Sequence, residues 1–221
     1  MIYAGYKLKF VFLVEGKHDR PIVSEAIIKK HKTTQIEKFC IFYNNDGKTK
    51  TKYGQESDKL EKLLEQDSPY EYLIKYEGGK GDLLKLVKYV VEQLLNDINY
   101  DAIDTEIYLM TDLDGDSFPQ KFKKMRNEIL KEYEGADLKI SSIGKSPEFY
   151  INKSFARYSV NITLFPSGIS KRLKVHFIFI DPTLEHVVSR DRNINKNKVN
   201  EKSVREFAKG HINELAELFF S

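Results

Sequence analysis

Between Tyr108 and Asp116 the chain reads Tyr-Leu-Met-Thr-Asp-Leu-Asp-Gly-Asp, an apolar run that ends in three carboxylates spaced two apart. In an extended chain, side chains at i and i+2 project to one side roughly 6.5 to 7 Å apart, so Asp112, Asp114 and Asp116 are expected to converge. Carboxylates that close repel one another, and a hard divalent cation relieves the repulsion. Mg²⁺ takes oxygen ligands of this kind and keeps waters or phosphate oxygens in its other positions. The competing reading of the stretch by itself is an acidic, solvated turn.

A second acid leaves a strand in the same way. Lys9 to Val14 is a short apolar run that stops at Glu15-Gly16-Lys17-His18-Asp19. Open α/β sheets place ligands beyond the carboxyl ends of their strands, so Glu15 and the Asp112 cluster face one crevice if the two strands are neighbours. On these two motifs, a Glu-Gly after the first strand and an Asp-x-Asp-x-Asp after a later one, residues 8 to 145 resemble the Toprim family. The Glu15 to Asp19 stretch looks most like the OLD-type nucleases and the small ribonuclease that matures 5S ribosomal RNA.

The resemblance implies a mostly parallel sheet flanked by helices and metal-dependent hydrolysis of phosphodiesters. It implies that Asp112 and Asp114 hold Mg²⁺ or Mn²⁺, that Asp116 helps directly or through water, and that Glu15 ligates a metal or moves a proton. In OLD-type proteins acids downstream of the core help hold a second metal, a role open to Asp181 or Glu185. Asp19 is a possible extra ligand, although capping the following helix explains it.

Other chemistries fit less well. Counted from Asp112, an EF-hand loop needs glycine where Ser117 stands and glutamate where Lys123 stands. A haloacid-dehalogenase-type phosphatase shares Asp-Leu-Asp-Gly, but follows it with Thr or Val where this chain has Asp116. Glu77-Gly78-Gly79-Lys80-Gly81 lacks the Ser or Thr and the leading Gly of a P-loop. His18, His31, His176, His186 and His211 show no zinc-binding spacing, and the single cysteine, Cys40, has no partner for a disulfide.

The elements that must position these acids alternate between strand and helix signals. Asp19 and Pro21 open a helix to about His31, and Phe39–Tyr43 and Tyr72–Tyr76 read as strands. Leu83 to Leu95 carries the stripe of a buried helix, preceded by a glycine turn whose amides could face a phosphate. Ser117 and Gln120 have capping-box spacing for a helix to about Glu134, whose Lys121, Lys123, Lys124, Arg126 and Lys131 could guide a polyanion to the acids. Lys48, Lys50 and Lys52 lie in a polar loop that could grip phosphates or simply be solvated.

Leu138–Ile143, Val160–Phe165 and Lys174–Ile180 read as further strands, the last two as a pair. The second ends at Asp181-Pro182, with Thr183 capping a short turn that bears Glu185. Ser189–Lys202 is expected to be a mobile loop, and Ser203–Phe219 a single helix.

With 221 residues, 41% of them hydrophobic, the chain can bury a sizeable core. An α/β Toprim-like core over residues 1–145 is expected, followed by a C-terminal α+β extension over 146–221 packed on it. A net charge of +3 permits a nucleic-acid partner, DNA or RNA, without demanding one. No apolar run could span a bilayer and no signal-peptide pattern is present, so a cytoplasmic protein without a membrane partner is expected, with homo-oligomerisation left open. The expected function is metal-dependent nuclease activity. The alternative is a non-catalytic nucleic-acid-binding or assembly module that keeps the acids as remnants.

Overall fold

Lys9–Val14 forms β1, and every one of its six residues is buried. A strand buried along its whole length, and apolar but for Lys9, belongs inside a sheet covered on both faces, and β1 lies third from one edge of such a sheet. The computed structural model describes residues 8–44, 59–60, 62–65, 67–76, 105–132, 138–164 and 171–221. Among them β2 (Cys40–Asn44), β3 (Tyr72–Tyr76), β4 (Thr105–Asp112), β5 (Leu138–Tyr150), β6 (Phe155–Leu164) and β7 (Lys171–Ile180) complete seven strands in the order β2-β3-β1-β4-β7-β6-β5.

Strands β2, β3, β1, β4 and β7 run parallel, while β6 and β5 are antiparallel additions. Val14 pairs with Met110 and Asp112 with Ile180, so β1, β4 and β7 end along one edge. The protein is therefore of the α/β class, with a mostly parallel sheet flanked by helices.

Strand alternation divides the interior into two cores. Phe10, Phe12, Val14, Tyr108, Met110, Ile178 and Ile180 face α1 (Arg20–His31), α3 (Leu184–Arg192), α4 (Glu201–Gly210) and α5 (Ile212–Phe220). Val11, Leu13, Ile107, Leu109, Phe177 and Phe179 face Met125 and Ile129 of α2 (Phe118–Glu132), together with Leu60, Leu63 and Leu64. Pro21 through Ile27 are all buried, which fits α1 packing on helices α4 and α5 as well as on the sheet. Phe219 of α5 meets Phe12 and Tyr108 at 5.5 and 5.9 Å between ring centres. Among the described residues no helix is long and apolar enough to cross a membrane.

The C-terminal segment differs from its expected form. The boundary placed at 145 falls inside β5, and β7 lies between β4 and β6 in the middle of the sheet. Strands β6 and β7 pair over Phe155–Leu164, but β7 also extends the parallel sheet through β4.

Ser189–Lys202 is not a single loop: its first residues complete α3, Lys196–Lys198 form a 3₁₀ turn, and Glu201 opens α4. Asn193 ends α3 in the left-handed region, Asn195 accepts from the Asn197 amide, and Asn200 forms a capping box with Ser203 at the start of α4. Polar Asn and Ser side chains satisfy helix-end backbone groups, so low apolar content here signals caps. The last helix is broken in two at His211, whose φ of −110° and ψ of 24° depart from helical values. The lysine loop at 48–52, the glycine turn at 77–81 and the expected helix at 83–95 lie outside the described residues.

A polar network crosses the sheet on the α5 side. The Ser159 hydroxyl meets His176 Nδ1 at 2.7 Å, and His176 Nε2 meets Glu106 at 3.2 Å. Lys174 and the Tyr108 hydroxyl also donate to Glu106, at 2.8 and 3.0 Å. Burial pushes the Glu106 carboxyl up, but the bonds from His176 and Lys174 outweigh it and hold the group down at about 2. Burial likewise holds His176 below its ordinary range, so a neutral imidazole donates to the carboxylate. A depressed carboxylate pKa contributes stability above its unfolded value of 4.5, lost as pH falls toward 2. Glu106→Gln should therefore flatten the loss of thermal stability between about pH 4.5 and 2 relative to wild type, as measured by acid melts.

Candidate functional site

Because β1 and β4 are adjacent and in register, the residue after Val14 lies beside the end of β4. Glu15 Oε2 accepts from the Thr111 hydroxyl at 2.8 Å and from the Asp112 amide at 3.3 Å. Two strand ends are joined by one carboxylate. Thr111 is 3% exposed, so the donor that orients the half-buried Glu15 is itself fixed in the interior. Asp112 Oδ1 in turn accepts from the Leu184 amide at 3.0 Å, the first residue of α3. The positive end of that helix favours an anion there.

Two further acids join the pair. Asp19 stands at the N-cap of α1 but its side chain does not cap the helix; it accepts from the Gly16 amide at 2.8 Å and is 8% exposed. This corrects the expectation that capping explains the residue. Glu185, in the first turn of α3, pairs with His18 Nδ1 at 3.2 Å.

The electrostatics show that these carboxylates feel one another. Burial pushes the Asp112 carboxyl up to about 7; the Leu184 amide opposes this, and Glu15, Glu185 and Asp114 add to it by repulsion. Burial raises Asp19 well above the ordinary carboxylate range, the Gly16 amide opposes, and Asp112, Glu15 and Glu185 raise it further. Glu185 behaves oppositely: burial pushes it up, but its bond with His18 prevails and holds it low. The site is thus an excess of negative charge in a partly dry setting, which a cation or a proton would relieve.

The convergence of Asp112, Asp114 and Asp116 expected from period-two spacing does not occur. Leu113 donates to the Ile180 carbonyl at 2.9 Å and buries its side chain, and there the extended chain ends. Asp114 and Gly115 take φ values of 56° and 86°, and the Asp116 amide closes the turn on the Leu113 carbonyl at 3.1 Å. Two left-handed residues in succession are the geometry of a type I′ turn, which suits an Asp-Gly pair and cancels the strand alternation. Asp114 consequently pairs with Lys121 at 3.2 Å and Asp116 with Lys124 at 2.6 Å, both lysines from α2. Asp181 is exposed, and its amide is tied to the Ser154 carbonyl at 2.9 Å.

Among the described residues no group of three or more acids, histidines or thiols is already drawn together as a metal cage. The structure instead joins Glu15 to Asp112, with Asp19 and Glu185 in electrostatic reach. Asp19 and Glu185 are the residues whose weight sequence reasoning set too low. Their signal was present: each is an acid at the start of a helix that follows a strand end.

No protein-family model, characterised protein or solved structure matches the chain.

A carboxyl raised to about 7 costs stability progressively as pH rises from its unfolded value of 3.8 through 7, because folding then holds a charge that burial disfavours. Asp112→Asn should therefore raise the melting temperature at pH 8 in the presence of a chelator by a few degrees, on the order of 1 kcal/mol.

Proposed function

We propose that the protein is a divalent-metal-dependent phosphodiesterase acting on nucleic acid, of the Toprim kind. The observation that carries the reading is the pair of bonds from Thr111 and the Asp112 amide to Glu15, which fixes two acids from adjacent parallel strands at the edge where α/β sheets bind ligands. The donors are all carboxylate oxygens, and Asp112 and Asp19 are raised by burial and mutual repulsion, which suits Mg²⁺ or Mn²⁺.

Glu15 and Asp112 would hold the ion, with Asp19 and Glu185 close enough to contribute charge or bind through water. When bound, such an ion activates a water and stabilises charge on phosphate and leaving oxygens. The chain's own residues supply placement. Thr111 fixes the Glu15 carboxylate, and the Leu184 amide orients Asp112. Lys121 and Lys124, now paired with Asp114 and Asp116, lie where phosphates could exchange with those acids. Such an exchange would free Asp114 to turn toward Asp112, whose charge it already feels.

One observation favours the second reading, a nucleic-acid-binding or assembly module without catalysis: Asp114 and Asp116 are engaged by lysines rather than gathered around a common point. The two readings separate in a cleavage assay on end-labelled single- and double-stranded DNA and RNA with Mg²⁺ or Mn²⁺. The expected result is metal-dependent cutting that falls by about 10²-fold or more in Glu15→Gln and in Asp112→Asn, with the fold of both retained. Binding without cutting, unchanged by either substitution, would establish the module instead.

A further inference from the structure

Phe149 is 46% exposed, an unusual position for a large apolar ring among the described residues. Its direction is set by an irregularity in β5. Ile143 pairs with Ser159, but Glu148 pairs with Arg157 and Phe149 with Ala156, so the register shifts by an odd number of residues between them. An odd shift moves the following side chains to the other face of a sheet. In an unbroken strand Ile143 and Phe149 would share a face; here Ile143 lies on the side of Ser159 and His176, while Phe149 is turned to the α2 side. Glu148 and Tyr150 go the other way, toward Arg157.

On the α2 side the ring meets Phe118 edge-on, with centres 5.4 Å apart and planes at 68°. Phe118 opens α2 directly after the acidic turn. The sheet register runs Phe149, Ala156, Phe179, Thr111, and the Thr111 hydroxyl holds Glu15. The ring is thus level with the acids along the strands and three inter-strand spacings away, about 14 Å.

Resting on the nuclease reading above, we infer that Phe149, braced by Phe118, is a stacking platform for an unpaired base, so that the substrate is single-stranded nucleic acid whose backbone runs on to the Glu15 and Asp112 centre. An exposed ring offers a flat apolar face on which a base can stack. Lys121 and Lys124 of α2, paired with Asp114 and Asp116, would exchange those acids for the phosphates of the same strand. Bases inside a duplex are already stacked on each other and do not offer that face.

The chain contains no tryptophan, so Phe149→Trp installs a single fluorescent reporter at an exposed position. Single-stranded DNA and RNA oligonucleotides, and oligonucleotides of the same length with abasic sites, are titrated into the full-length variant. Binding is followed in parallel by anisotropy of the labelled strand, and cleavage is assayed on the wild type. Saturable quenching by base-bearing strands is expected, without quenching by abasic ones. Phe149→Ala should weaken binding of base-bearing strands by about 5- to 150-fold, and Phe149→Trp should preserve it. Anisotropy changes without quenching, with Phe149→Ala binding as wild type does, would overturn the platform and leave the nuclease reading standing. Absence of both binding and cleavage in the wild type would overturn the two together.

Discussion

The parallel register of β1 against β4 is the constraint on which the site depends. It carries Glu15 to the hydroxyl of Thr111 and the amide of Asp112, and a slip of one residue would turn these groups to opposite faces. The register is secured by burial, since the side chains of β1 and β4 fill both cores, with Phe12 stacked on Tyr108 at 4.9 Å. Helix α3 completes the arrangement from the other side, because β7 pairs with β4 and delivers the Leu184 amide to Asp112. The acids therefore sit where hydrophobic packing fixes the backbone. Burial and mutual repulsion raise the carboxyls of Asp112 and Asp19.

That tension explains why the acidic turn takes its form. Three carboxylates gathered on one side of a strand would add repulsion to a site already raised by Glu15, Glu185 and burial. The left-handed turn at Asp114 and Gly115 disperses them, and α2 supplies Lys121 and Lys124 to the two that leave. Basic residues on that helix thus neutralise the turn. The same helix carries Phe118, so charge and aromatic contact arise from one element.

Much of the architecture was legible in the sequence because burial patterns are periodic. Continuous apolar runs marked β1 and β4, the pair Val160–Phe165 and Lys174–Ile180 marked the second half of β6 and most of β7, and Glu15 with Asp112 stood out as acids at strand ends. Three features were misread or hidden for physical reasons. The extended geometry assumed for Asp112 to Asp116 ends at Leu113, whose amide pairs with the next strand while the following residues become left-handed. Asp19 looked like a cap, yet its carboxylate turns back to Gly16. The place of β7 between β4 and β6 depends on pairing between distant segments, which local periodicity does not encode.

The most direct test of the account is a Mn²⁺ titration, by electron paramagnetic resonance, of the wild type and of Glu15→Gln, Asp112→Asn and Asp116→Asn. Binding that weakens about tenfold or more in the first two variants, and changes little in Asp116→Asn, is the result that two acids joined across β1 and β4 predict. Equal affinity in all three, or a loss greatest in Asp116→Asn, would contradict it.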